Sequence, residues 1–190
     1  MLNPKPRNLV SGSFKFRSTP QGVLPTVGDL LRTIDQGVPG TSMPPFGDLS
    51  QPEKLALVVY IRSLRPEFND TRLDQQSIAI PPPPMEIFST KSLLLASAAK
   101  GKLLFQQACI SCHGEGGRGN GPSADDLTDS ENNPIRPTDL TRPFIKCGST
   151  ARDFYKAITT GLDGSPMPGF ADLYDELKRW QLTAYAFYLR

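Results

Sequence analysis

Cys109-Ile110-Ser111-Cys112-His113 is the stretch whose reading decides the fold. Two thiols three positions apart, with an imidazole next to the second, spell C-x-x-C-H. That is the attachment signal for a c-type haem. The thiols can bond the two vinyl groups of one porphyrin, and the adjoining His can bind the iron from the same side. The chain holds 1 His in 190 residues, so imidazole chemistry here runs through position 113.

Composition suits short helices separated by structured loops. Hydrophobic residues make up 38% of the chain, with 16 Gly and 19 Pro. Modest cores of this kind often need a staple, and a covalent cofactor can serve as one. The net charge is +2 but uneven. Residues 1–65 carry 8 Lys/Arg against 4 Asp/Glu, and the remainder 13 against 15, so the halves stand near +4 and −2. Such a basic face either steers docking to an acidic partner or is simply a solvated surface. Three cysteines make an odd count. Two belong to the motif, and Cys147 reads as a small buried hydrophobe rather than part of a disulfide framework. Nothing in the composition points to nucleic acid.

Met1-Leu2-Asn3-Pro4-Lys5-Pro6 has no apolar signal region. No window reaches the roughly 20 apolar residues of a membrane span. Leu93 to Ala108 comes nearest and is broken by Lys100 and Lys102. A covalent haem of this type is normally attached outside the cytoplasm. The expectation is therefore a periplasmic or otherwise extracytoplasmic protein, read here as a mature form, a fragment or the product of a truncated gene.

Working outward from the motif, Ser92 is expected to cap a helix over Leu93–Ala108 that leads into it. Gly114 to Pro122 is a Gly-rich loop, and Ser123 to Lys146 a second loop. A helix is expected from about Ala151 to Thr160, capped by Ser149 or Thr150 and stopped by Gly161, and a last one from about Asp175 to Leu189. Upstream, residues 1–20 read as an irregular loop. Thr26 to Gln36 reads as a short helix with Leu30, Leu31 and Ile34 on one face. Ser50 and Glu53 form a capping box for a helix through Leu64. Residues 66–92, with Pro81 to Pro84, read as a stiff linker.

The chain also resembles itself at an offset of about 124 residues. Asp29-Leu30-Leu31-Arg32-Thr33-Ile34 matches Asp153-Phe154-Tyr155-Lys156-Ala157-Ile158. Gly37, Gly40, Met43-Pro44, Phe46 and Leu49 match Gly161, Gly164, Met167-Pro168, Phe170 and Leu173. One residue of slippage later, Leu57, Tyr60 and Leu64 match Leu182, Tyr185 and Leu189. The second copy has about 40 residues upstream that carry the motif, and the first has no counterpart to them. Residues 1–65 are therefore expected to be the distal part of a domain. Half a domain exposes apolar surface such as Leu55, Val58 and Ile61, which the second domain or another polypeptide must cover.

C-x-x-C-H alone also admits a chance thiol pair or a zinc knuckle. Zinc wants four ligands; three are clustered here, with Cys147 the only other thiol. The wider pattern adds Gly101-Lys102-Leu103-Leu104-Phe105 before the motif, Gly119-Asn120-Gly121-Pro122 after it, a Pro-Met-Pro about 54 residues on, and a closing aromatic helix. With these, the sequence resembles the class I c-type cytochromes, particularly the small bacterial mono- and di-haem carriers. Residues 93–190 resemble a complete domain, and residues 1–65 the distal part of a second.

The resemblance implies an all-α cytochrome c fold with one haem c per chain. Cys109 and Cys112 would form the thioethers. His113 and Met167 would be the iron ligands, and the Pro122 carbonyl would accept from the other ring nitrogen of His113. A neutral thioether ligand favours ferrous iron and raises the potential. Gly101 and Phe105 match positions where the first helix crosses the last, facing Tyr185. Met167 can also be read as a gap-filler, and Met43 as a relic or as ligand to a haem on a missing segment. Trp180 and Phe187 read as helix core. Arg118 and Arg136 suit haem propionates or the surface.

Three functions follow. The first is electron transfer with redox partner proteins, with no catalysis, as a soluble carrier or the haem module of a respiratory redox complex. The second is a haem enzyme such as a di-haem peroxidase, which needs an open iron site. The third is a docking or structural fragment of a larger di-haem cytochrome, completed by another polypeptide.

Overall fold

The computed structural model describes residues 6–190, so the first residues of the expected N-terminal loop and of the 1–65 segment lie outside it. In chain order the α-helices are α1 (Val27–Gln36), α2 (Gln51–Ser63), α3 (Met85–Phe88), α4 (Lys91–Ala108), α5 (Ile110–His113), α6 (Ala151–Thr160) and α7 (Glu176–Tyr188). Two short 3₁₀ turns, Pro66–Asn69 and Leu73–Gln76, lie between α2 and α3. Pairing between strands is limited, among the described residues, to two isolated bridges. The architecture is the expected all-α one.

The helices start where their caps dictate. Thr26 and Thr150 each accept from the backbone N–H three residues on, and Asp29 and Asp153 return the bond, closing two equivalent capping boxes. Ser50 and Glu53 close a third, at α2. The expected cap at Ser92 moves to Thr90, whose side chain accepts from Leu93 N at 3.3 Å, so α4 gains two residues.

Two cores form. One gathers Leu30 and Ile34 of α1 with Val58 of α2, Phe68 and Leu73. The other gathers Ala98 and Phe105 of α4 with Tyr155, Phe170, Tyr174, Trp180, Leu182, Ala184 and Tyr185. Gly101 sets the crossing of α4 and α7. A Cβ there would stand 2.5 Å from the carbonyl carbon of Gln181 and 3.0 Å from Tyr185 Cβ, so only the missing side chain lets the backbones meet. One turn on, Phe105 meets Tyr185 edge to face at 5.2 Å. Trp180 is core, stacked on Tyr155 at 4.1 Å, and Phe187 packs on Phe154 at 5.2 Å.

The stretch expected as a linker is anchored at both ends. Phe68 and Leu73 are buried in the first core and Ile87 in the second, because both cores need apolar closure at their rims. Arg152 also donates to the carbonyl of Ile80 at 2.8 Å. The extended backbone is confined to 77–84.

The self-similarity extends to hydrogen bonds. Val38 N donates to Met43 O at 3.0 Å, and Leu162 N to Met167 O at 3.1 Å. Phe46 N donates to Ile34 O at 3.0 Å, and Phe170 N to Ile158 O at 2.9 Å. Gly37 and Gly161 turn out of their helices at φ 62° and 68°, a conformation that favours glycine. The copies also grip each other reciprocally. Arg32 pairs with Asp153, and Lys156 with Asp29 at 3.7 Å, so equivalent positions exchange partners as across a two-fold axis. The fully buried Arg17 completes the junction, pairing with Asp163 at 2.8 Å and donating to the carbonyl of Thr160 at 3.1 Å.

Candidate functional site

The motif is built where α4 ends. Cys109 N bonds Phe105 O at 2.8 Å, and His113 N bonds Cys109 O at 2.8 Å, so the five residues make one further helical turn. Cys109 and Cys112 are both half-buried free thiols. Burial, reinforced by Cys112, pushes the Cys109 thiol up to about 11, so it is a neutral thiol at pH 7.

The Gly-rich loop folds back on this turn. Gly119 N donates to His113 O at 2.9 Å, Gly121 N to Cys112 O at 3.0 Å, and Ser123 N to Ser111 O at 2.9 Å. Three carbonyls that the helix end would leave orphaned are thereby satisfied. Leu140 N then donates to Gly117 O at 2.7 Å and lays residues 137–140 against the loop.

The orientation of His113 follows from that contact. Its Nδ1 lies 3.2 Å from the carbonyl of Thr138. A carbonyl only accepts, so Nδ1 carries the proton and Nε2 keeps a free lone pair. Burial lowers the pKa of the ring, against the opposing pull of the Thr138 bond, and the imidazole is neutral at pH 7.

This corrects the expectation for Pro122. The loop spends its N–H groups on the motif's carbonyls, and Pro122 stands exposed, lining an open cleft of about 480 Å³ with Ile110, Glu115, Arg118 and Asn120. Thr138 takes the role because glycine at 119 lets Pro137 approach; a Cβ there would stand 3.2 Å from the Pro137 carbonyl carbon.

Met167 is half-buried in the loop after α6, which its own carbonyl and Phe170 N pin. Phe170 belongs to the same core as Phe105, Cys109 and Ile110, so this loop is tied to the motif through packing. Tyr174, buried and stacked on Phe170 at 5.8 Å, was not singled out by sequence; its phenol is pushed up by burial and by the neighbouring Cys109. Met43 sits in a loop of the same construction as Met167's, in a copy without His or Cys. Cys147 packs on Ile145, Phe154 and Ala186, its thiol pushed up to about 12 by burial. Arg136 pairs with Asp125 at 2.5 Å, both well exposed.

The donor set fits a covalent haem. Two thiols lie one turn apart beside an imidazole whose Nε2 is free. Among the described residues no group of three or more His, Cys, Asp or Glu is placed to hold a metal ion by itself.

Residues 96–185 match the family model of cytochrome c oxidase, cbb3-type, subunit III. Over 99% of its length the chain is similar, at 37% identity and a TM-score of 0.89, to a chain of the reducing HAO-like protein complex of Kuenenia stuttgartiensis, covering 83% of that chain. The chain belongs to the c-type cytochromes. Membership implies a haem cofactor and haem-based electron transfer, as the motif suggested. No curated protein matches this cytochrome. Among the described residues, no helix of the cytochrome is long and apolar enough to cross a membrane.

Proposed function

We propose that the protein transfers electrons through one covalently attached haem c with His/Met ligation and catalyses no reaction of its own. The observation that supports this reading is the His113–Thr138 bond, which fixes the ring's tautomer and leaves the Nε2 lone pair that would bind the iron. Cys109 and Cys112 would hold the group as thioethers, and Met167 would offer its sulfur to the iron. When bound, the haem supplies a one-electron Fe(III)/Fe(II) couple. The chain's own residues orient the imidazole, exclude water through Phe105, Tyr174 and Tyr185, and offer a soft sulfur to the iron.

In this reading residues 93–190 are the complete haem domain, 66–92 a tether, and 1–65 a partial haem-less repeat. The protein works outside the cytoplasm with redox partner proteins. The similar Kuenenia chain belongs to a protein complex, which favours a haem module within an assembly over a free carrier.

Potentiometric titration of Met167→Ala tests the ligand. The reading expects the midpoint to fall by on the order of 100 mV, part of the roughly 0.8 V that axial ligation commands. An unchanged potential removes Met167 from the iron.

A further inference from the structure

The loop that presents Met167 is held from outside its own copy. The fully buried Arg17 spreads its guanidinium over the start of that loop. Nη2 donates to the carbonyl of Thr160 at 3.1 Å and to the Asp163 carboxylate at 2.8 Å, and Nη1 to the carbonyl of Gly161 at 3.4 Å. Gly22 N donates to the same carboxylate at 3.0 Å. At the far end of the loop, Gly169 N donates to Gln21 Oε1 at 3.2 Å. Residues 17–22 of the first copy therefore grip both ends of the loop, with Met167 between them.

The equivalent loop of the first copy, Gly37 to Phe46, has no such grip. Among the described residues its hydrogen bonds stay within its own copy. Its closing ring shows the difference: Phe46 is 41% exposed and Phe170 8%. Both loops close on themselves through the same backbone bonds, so their shape does not require the outside hold. The hold falls on the copy that carries the C-x-x-C-H turn. Arg17 Nε is also buried without a partner among the described residues, a cost that fastening by an apolar side chain would avoid.

We infer that residues 17–22 fasten the Met167 loop, with Arg17 as the residue that positions it for the haem. The inference rests on the His/Met reading of the site. A loop already ordered loses less entropy when its sulfur engages iron than one the bond itself must order. Lysine could not replace Arg17, because one ammonium cannot span two carbonyls and a carboxylate as the planar fork does. The copy without His or Cys thereby gains a task at the haem site of the other.

The test compares Arg17→Met and Gln21→Leu with wild type in the full haem-loaded chain. Gln21 is exposed, so its variant keeps the fold even if Arg17→Met does not. The amides of Leu162 and Phe170 close the loop. Their hydrogen exchange should speed at least about tenfold in Arg17→Met and about threefold in Gln21→Leu, with α7 unchanged. Imidazole, added to the ferric protein as a competing ligand, should bind more tightly by similar factors. The inference is overturned by loop amides that exchange as in wild type. It is equally overturned by α7 amides that speed in step with them, which would make the effect one of global stability. Faster loop exchange with imidazole affinity unchanged, in a protein where Met167→Ala raises that affinity, would remove Arg17 as a positioning residue. Equal imidazole affinity in wild type and Met167→Ala sinks the His/Met reading; the fastening itself is then still upheld or overturned by the loop amides.

Discussion

Replacing Gly101 by Ala tests whether the α4–α7 crossing carries the haem domain. In an isolated helix the change would gain about 1 kcal/mol, because Ala is the better helix former. Here the new methyl would stand 2.5 Å from the carbonyl carbon of Gln181, where ordinary contact begins at 3.4 Å. The obstacle is backbone, so no side-chain rotation relieves it, and the helices must part by about 1 Å. A gap of that size forfeits up to about half of each contact's dispersion energy. The contacts at risk include Phe105 on Tyr185, and Phe105 also lies 6.2 Å from the His113 ring. Overpacking of this kind costs about 1–3 kcal/mol, and more where backbone must move. Net of the helix gain, about 2 kcal/mol of destabilisation is expected, a fall in Tm of roughly 4–8 °C for a chain of this size. The assay is thermal unfolding followed by helical circular dichroism, with Gly47→Ala as control because nothing lies within 4 Å of that position. A Gly101→Ala protein as stable as wild type would refute the close crossing.

Gly119→Ala is expected to push Pro137 and Thr138 away from His113; losing the Nδ1–H bond lowers ligand basicity and shifts the midpoint potential upward by on the order of tens of millivolts, read by the same titration. Asp153→Ala removes both a capping box and the partner of Arg32; the denaturant midpoint should report a loss of about 2–4 kcal/mol. Burial, aided by Arg7 and Lys146, lowers Lys15 to about 8 from an unfolded value of 10.5. Between those values the unfolded chain binds more protons, so stability rises with pH across that window. Lys15→Met should therefore gain up to about 1 kcal/mol at pH 7, allowing for solvent screening, with the gain shrinking as pH climbs from 8 toward 10.5. Denaturation series at several pH values would measure it.

The sequence made the all-α fold, the capped helices, the duplication and the haem turn legible, because each rests on local chemistry: a cap and its N3 acid, a glycine at a helix end, two thiols beside an imidazole. What it hid depends on contacts between distant segments. Thr138 has no signature of its own; it reaches His113 because Gly117 and Gly119 admit residues 137–140. Tyr174 lay outside every motif. Arg17, Asp29 and Lys156 read as surface charges by type, but where the copies meet Arg17 and Asp29 are buried and Lys156 is half-buried. The exposed apolar surface of residues 1–65 was foreseen with part of its face wrong, since only tertiary packing decides which side of α2 turns toward α1.

The most direct measurement of the central claim is the intact mass of the denatured, acid-extracted protein. The expected result is the mass of the polypeptide plus one haem, as covalent attachment through Cys109 and Cys112 requires, and its loss in a Cys109→Ala/Cys112→Ala variant. Recovery of the bare polypeptide mass from haem-loaded wild-type protein would contradict it.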